Sequence, residues 1–94
     1  MSVPDYLSST VGLLRRAFPD GIGDADYMAT LSLLYPHLAD ENLAKVVSHL
    51  TGKPVGIVTN DIYAAAARGV DREDLERVGQ LLGVAGFDSW SKET

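Results

Sequence analysis

Asp40-Glu41-Asn42-Leu43-Ala44-Lys45-Val46-Val47-Ser48-His49-Leu50-Thr51-Gly52 is the stretch that decides the fold class. Leu43, Val46, Val47 and Leu50 recur at the three- and four-residue spacing of a helix, so they share one side. Asp40 stands where a carboxylate can satisfy free amides at the helix start, and Gly52 stands where a left-handed residue ends one. A helix with a single apolar face must bury that face against another element. No sheet is on offer. Val55, Ile57 and Val58 look extended but are too short to form one, and the turn residues Gly52-Lys53-Pro54 lead into them, so 52–58 is expected to be a loop pinned to the core. The partners of the central helix must be other helices.

Four more amphipathic segments surround it. Towards the amino terminus, Tyr27, Met28, Leu31, Leu34 and Tyr35 form a stripe that opens at Gly23 or Asp24 and ends before Pro36. Before that, Val3, Leu7, Val11, Leu14 and Phe18 repeat at three- and four-residue intervals, with Ser2 as cap, Pro4 in the first turn and a break at Pro19-Asp20-Gly21. Towards the carboxyl terminus, Thr59 is expected to cap a helix over 60–68 whose Ile62, Tyr63, Ala65 and Ala66 allow close packing before Gly69. Asp71 opens the fifth helix, with Asp74 at the capping-box position, inward Leu75, Val78, Leu81 and Leu82, and Gly83 or Gly86 as its end. The expected fold class is all-α, a compact orthogonal bundle of five short helices occupying residues 1–87. Residues 88–94 read as a polar tail that frays unless Trp90 docks back onto the bundle.

Composition narrows the functions open to such a bundle. Ninety-four residues, 46% hydrophobic and 22% charged, describe one folded domain. A chain of this length buries roughly 60 to 65% of its unfolded surface, enough for one core but not for a deep enclosed cavity as well. Eight Lys and Arg against thirteen Asp and Glu give a net charge of -5, which disfavours nucleic acid as a partner. With no cysteine, disulfides, thiol nucleophiles and Cys-ligated zinc are excluded. The longest strongly apolar run, 64–67, is only alanine, so no membrane span is expected. The Arg15-Arg16 pair leads to Phe18-Pro19-Asp20 with no export signal, so the expected location is cytoplasmic.

The acid excess has a structural explanation. Asp5, Asp24, Asp26, Asp40, Glu41, Asp61, Asp71, Glu73 and Asp74 fall in or just before expected first turns, where the helix dipole favours negative charge. Glu73 and Arg77 are four apart in the favourable order and are expected to pair.

No catalytic constellation emerges. His37 and His49 are the only imidazoles and lack the spacing of two ligands on one helical face; His37 near Asp40 or Glu41 reads as a loop histidine, and no metal or cofactor is expected. Ser48 and His49 are neighbours on a helix and point about 100° apart, which is wrong for a nucleophile and its base. Asp24 and Asp26 sit in a first turn and read as solvated capping groups, not an acid and base pair. Gly52-Lys53 fails as a phosphate loop because Pro54 follows the lysine and Val47 replaces the first glycine. The fourth and fifth helices have helix-turn-helix proportions, but the would-be recognition helix opens Asp71-Arg72-Glu73-Asp74, with carboxylates where phosphates would sit. Trp90, amid Asp88, Ser89, Ser91 and Lys92, either covers a core edge or anchors a partner.

Several spaced motifs carry a family resemblance: Asp26-Tyr27 with the run 31–34, Leu38-Ala39-Asp40-Glu41, Val58-Thr59-Asn60-Asp61-Ile62, and Asp74-Leu75-Glu76-Arg77-Val78 followed by Gly86-Phe87. Together they resemble a small actinobacterial, chiefly mycobacterial, family of helical proteins, domain of unknown function 3349, over roughly residues 3–87. The resemblance implies a monomeric five-helix bundle and no established activity. Family members often carry proline near the start of the second helix, where this chain has Gly23 to Ala25, and Trp90 falls outside the shared region.

The expectation is therefore a monomeric, non-enzymatic helical module that binds an as yet unidentified protein partner, with Trp90 as a possible anchor. The alternative is a nucleic-acid-associated regulator using the fourth and fifth helices, signalled by clustering of Arg15, Arg16, Lys45, Arg68 and Arg72. A small-molecule site, third in order, predicts a pocket lined by Tyr27, Tyr35 or Tyr63.

Overall fold

Phe18-Pro19-Asp20, the link over 35–39 and breaks at Gly52, Gly69 and Gly86 cut the chain into its helices. A computed structural model describes residues 4–93, with the side chain at 93 left aside, so the expected Ser2 cap lies outside the described residues. The elements are α1 (Ser8–Ala17), α2 (Asp24–Leu34), α3 (Asp40–Thr51), α4 (Val55–Arg68), α5 (Arg72–Ala85) and α6 (Phe87–Glu93), with single 3-10 turns at Asp5–Leu7 and Tyr35–His37. No strand occurs among the described residues, and the all-α bundle stands. The five expected helices appear in order, followed by the short α6.

The helix of Leu43, Val46 and Val47 forms where its spacing places it, all three residues fully buried, and Gly52 ends it at φ 78°. Asp40 is the first residue of that helix instead of its cap, a position filled by Ala39. The dipole still favours its carboxylate there. α2 lies at the centre, packed on α4 and α5, while α3 closes on α4 and α1 on α5 and α6. Centrality explains its composition: Ala29, Thr30, Leu31 and Leu34 have no exposed surface, and Thr30 satisfies its buried hydroxyl on the Asp26 carbonyl, 2.8 Å away.

Several sequence expectations differ from the fold. The 52–58 loop is mostly helix, because Pro54 supplies the N-cap and α4 starts at Val55, with Ile57 and Val58 amides both bonded to the Pro54 carbonyl. Thr59 is therefore inside the helix, its hydroxyl donating to the Val55 carbonyl, and Asp61 lies beyond the first turn. β-branched residues read as extended by propensity, but burial of Val58 and Ile62 on one helical face outweighs it. In α5 the Asp71 side chain accepts from the Glu73 amide as the N-cap, whereas Asp74 turns to Arg77, 2.9 Å away, so neither the capping box nor the Glu73–Arg77 pair is the geometry adopted. Leu81, expected inward, is 37% exposed and shares the outer face of α5 with Val84.

Past Gly86 the chain does not fray. α5 ends there at φ 106°, α6 folds back onto α1, and Trp90 is 2% exposed, with its indole Nε1 donating to Thr10 Oγ1 at 3.0 Å. Residues 87–93 are part of the same body as the five longer helices.

Candidate interaction surface

Three of the four tyrosines stand at the surface, and two of them meet at the start of α3. Tyr35, 38% exposed, ends α2 at the 3-10 turn; Tyr63, 49% exposed, projects from the middle of α4. The Tyr63 hydroxyl donates to Asp40 Oδ2. This hydrogen bond, with help from the Asp40 backbone amide, holds the Asp40 carboxyl below its ordinary range. The same bond, reinforced by the carboxylate charge, pushes the Tyr63 phenol up, with the neighbouring Tyr35 adding a little. Ala39, Asp40, Glu41, Thr59 and Tyr63 line a shallow groove at this point. Tyr6, 67% exposed, also reaches α3, where its hydroxyl donates to Asn42 Oδ1 at 3.3 Å. The result is an α3 start flanked by aromatic rings with polar tips and crowned by two carboxylates.

The fourth tyrosine does different work. Tyr27 is 7% exposed, donates to Asp61 Oδ2 at 2.7 Å and carries Lys53 Nζ 5.0 Å above its ring. Burial first, then the hydrogen bond and charge of Asp61, drives its phenol far above the ordinary tyrosine range. It ties α2 to α4. Of the three tyrosines named for a small-molecule site, Tyr63 lines the groove at the start of α3.

The remaining candidates are placed as follows. Trp90 lies in the core, in ring contact with His37 and Phe87, and presents almost no surface for a partner to grip. His37 stands edge-on to Phe87, ring centres 5.2 Å apart, and packs there. Arg15 Nη2 lies 3.4 Å from His49 Nε2, which accepts from it. Asp26, one of the two first-turn acids, accepts on its single Oδ1 from both Nε and Nη2 of Arg77, at 3.0 and 2.6 Å, and this contact joins α2 to α5. Arg72 pairs with Glu76 within its own helix. No three His, Asp or Glu side chains converge among the described residues, and no helix is long and apolar enough to cross a membrane.

The meeting of Tyr63 with Asp40 was not visible in the sequence, since the two are 23 positions apart on different helices. The available signal was the position of Tyr63 on α4, one residue off the Ile62-Ala65 face and so directed away from the core.

This is a small all-α bundle with an aromatic and acidic face, and a known family shares its sequence. The chain belongs to the family of proteins of unknown function DUF3349, whose model matches residues 5–90. The match reaches Trp90, which therefore falls inside the shared region and not beyond it. No curated protein and no solved structure matches the chain.

Proposed function

We propose that this protein is a non-catalytic protein–protein interaction module, monomeric and cytoplasmic, whose contact surface is the tyrosine and carboxylate face at the start of α3. The supporting observation is the exposure of Tyr6, Tyr35 and Tyr63 around Asp40 and Glu41. Tyrosine offers a large rigid contact area with a polar tip and little rotamer entropy to lose, which is why it is enriched where proteins meet. The carboxylates select a partner that presents Lys or Arg beside apolar side chains. The reading needs no metal, cofactor or reacting group.

The test is capture from nuclease-treated lysate by the tagged protein and by a Tyr35→Ala/Tyr63→Ala variant with an unchanged circular dichroism spectrum. A protein retained by the native chain, released by raised salt and lost with the variant supports the reading. Capture that nuclease abolishes overturns it in favour of nucleic-acid association through α4 and α5. Retention of every partner by the variant overturns the assignment of the face.

A further inference from the structure

We infer that the groove between α1 and α6 is a binding site for a phosphate group, with Arg16 as its principal ligand. Ser8, Gly12 and Arg16 succeed one another at four-residue spacing along one face of α1, and Gly86 and Ser89 face them across a groove of about 360 Å³ floored by Trp90. The groove is separate from the tyrosine face, and the inference does not depend on that reading.

Arg16 is held in a particular way. Its Nε donates to the Ala85 carbonyl at 2.8 Å, which fixes the plane of the guanidinium and satisfies a carbonyl at the end of α5. A glycine makes room for one of the two remaining nitrogens: a side chain at residue 12 would bring its Cβ to a tight 3.3 Å from Nη1, while one at residue 86 would stand at an ordinary 3.7 Å from Nη2. Gly12 is an interior helical glycine, a choice that costs roughly 1 kcal/mol relative to alanine, and the close guanidinium gives it a steric reason.

What Arg16 lacks is a counter-charge. Arg72 and Arg77 each hold a carboxylate, but among the described residues Arg16 has none. The hydroxyls of Ser8, Ser9 and Ser89, which line the same groove, make no hydrogen bond within the described chain. An anchored fork of donors, uncompensated in charge and surrounded by three free hydroxyls, matches the geometry of a group with several acceptor oxygens. A planar carboxylate would occupy the fork and leave the hydroxyls idle; a tetrahedral phosphate can use both. With a net charge of -5 the whole molecule does not draw anions from a distance, so recognition rests on these short-range contacts.

The phosphate can arrive as the free ion or as a monoester, and amide chemical shifts distinguish them. Inorganic phosphate, O-phosphoserine and sodium chloride at matched ionic strength are titrated into the full chain. Saturable shifts confined to the amides of Ser8, Ser9, Gly12, Gly86 and Ser89, caused by the phosphate-bearing titrants and not by chloride, are expected. Tighter binding of O-phosphoserine identifies an ester as the ligand, and equal binding identifies the ion. Arg16→Lys keeps the charge but loses the fork, and should weaken binding at least about tenfold. If that variant is unfolded, Ser8→Ala/Ser89→Ala, which leaves the anchor on Ala85 intact, should still weaken it severalfold. No saturable shift, equal shifts with chloride, or unchanged affinity in the folded variants overturns the site.

Discussion

The indole of Trp90 and the hydroxyl of Thr10 form a buried pair 80 positions apart, each satisfying the other where water does not reach. Their removal should therefore cost differently. Trp90→Ala vacates a large core volume and should destabilise by about 3–5 kcal/mol. For a domain of this size that corresponds to a fall in melting temperature of more than about 10 °C. Thr10→Val keeps the volume but leaves the indole N–H without an acceptor, which costs about 1–3 kcal/mol. In a double-mutant cycle with Trp90→Phe the two costs should fall short of adding; strict additivity would mean the hydrogen bond contributes nothing. Tyr27 provides a pH-dependent counterpart. Its phenol is raised in the folded chain above the value near 10 of an unfolded tyrosine, so the folded state keeps a proton that the unfolded state releases. The associated stability is complete below about pH 10 and declines as pH rises beyond it. Denaturant unfolding at about pH 9 and 11 should show that decline, and Tyr27→Phe should reduce it. Tyr63, raised in the same direction but at the surface, should matter less.

At the scale of elements, the helix ends were more legible than the helix starts. Gly52, Gly69 and Gly86 each adopt positive φ at a C-terminus, and a glycine there announces itself in sequence because few other residues tolerate the conformation. Starts depend on backbone groups that any residue supplies. Ala39 and Pro54 cap α3 and α4 with no side-chain bond, so Asp40 and Thr59 read as caps although neither is one. Pairings across helices were equally hidden: the sequence pairs Arg77 with Glu73 on its own helix, but Asp26 Oδ1 on α2 accepts two hydrogen bonds from Arg77. Glycine position also makes a prediction with two signs. Gly86 turns the chain at φ 106° so that α6 can return to α1, and alanine there should cost about 1–2 kcal/mol. Gly79, within α5, has nothing within 4 Å of where a Cβ would stand, and alanine there should stabilise by roughly 0.5–1 kcal/mol. Thermal melts of the two variants should move in opposite directions; shifts of the same sign would contradict the backbone assigned to α5.

The whole molecule raises the question of whether α6 belongs to the cooperative unit. The polar run around Trp90 read as a tail because pattern arguments weigh several residues at once, and a single buried indole contributes little to a seven-residue window. Its burial depends on a distant hydroxyl and on ring contacts with His37 and Phe87, none of which has a local signature. The candidate surface was hidden for the same reason, since it exists only where α3 and α4 meet. Trp90 is the only tryptophan, so its fluorescence reports on α6 alone, while far-ultraviolet circular dichroism is dominated by the five longer helices. If residues 87–93 share one core with the rest, the two signals should trace the same thermal transition, as two-state unfolding requires. Separate unfolding of α6 would shift the fluorescence midpoint below the dichroism midpoint by several degrees. Such a split would make 88–94 an independent appendage. Coincident midpoints would instead place α6 inside the domain, and with it the α1–α6 groove that needs both walls to exist.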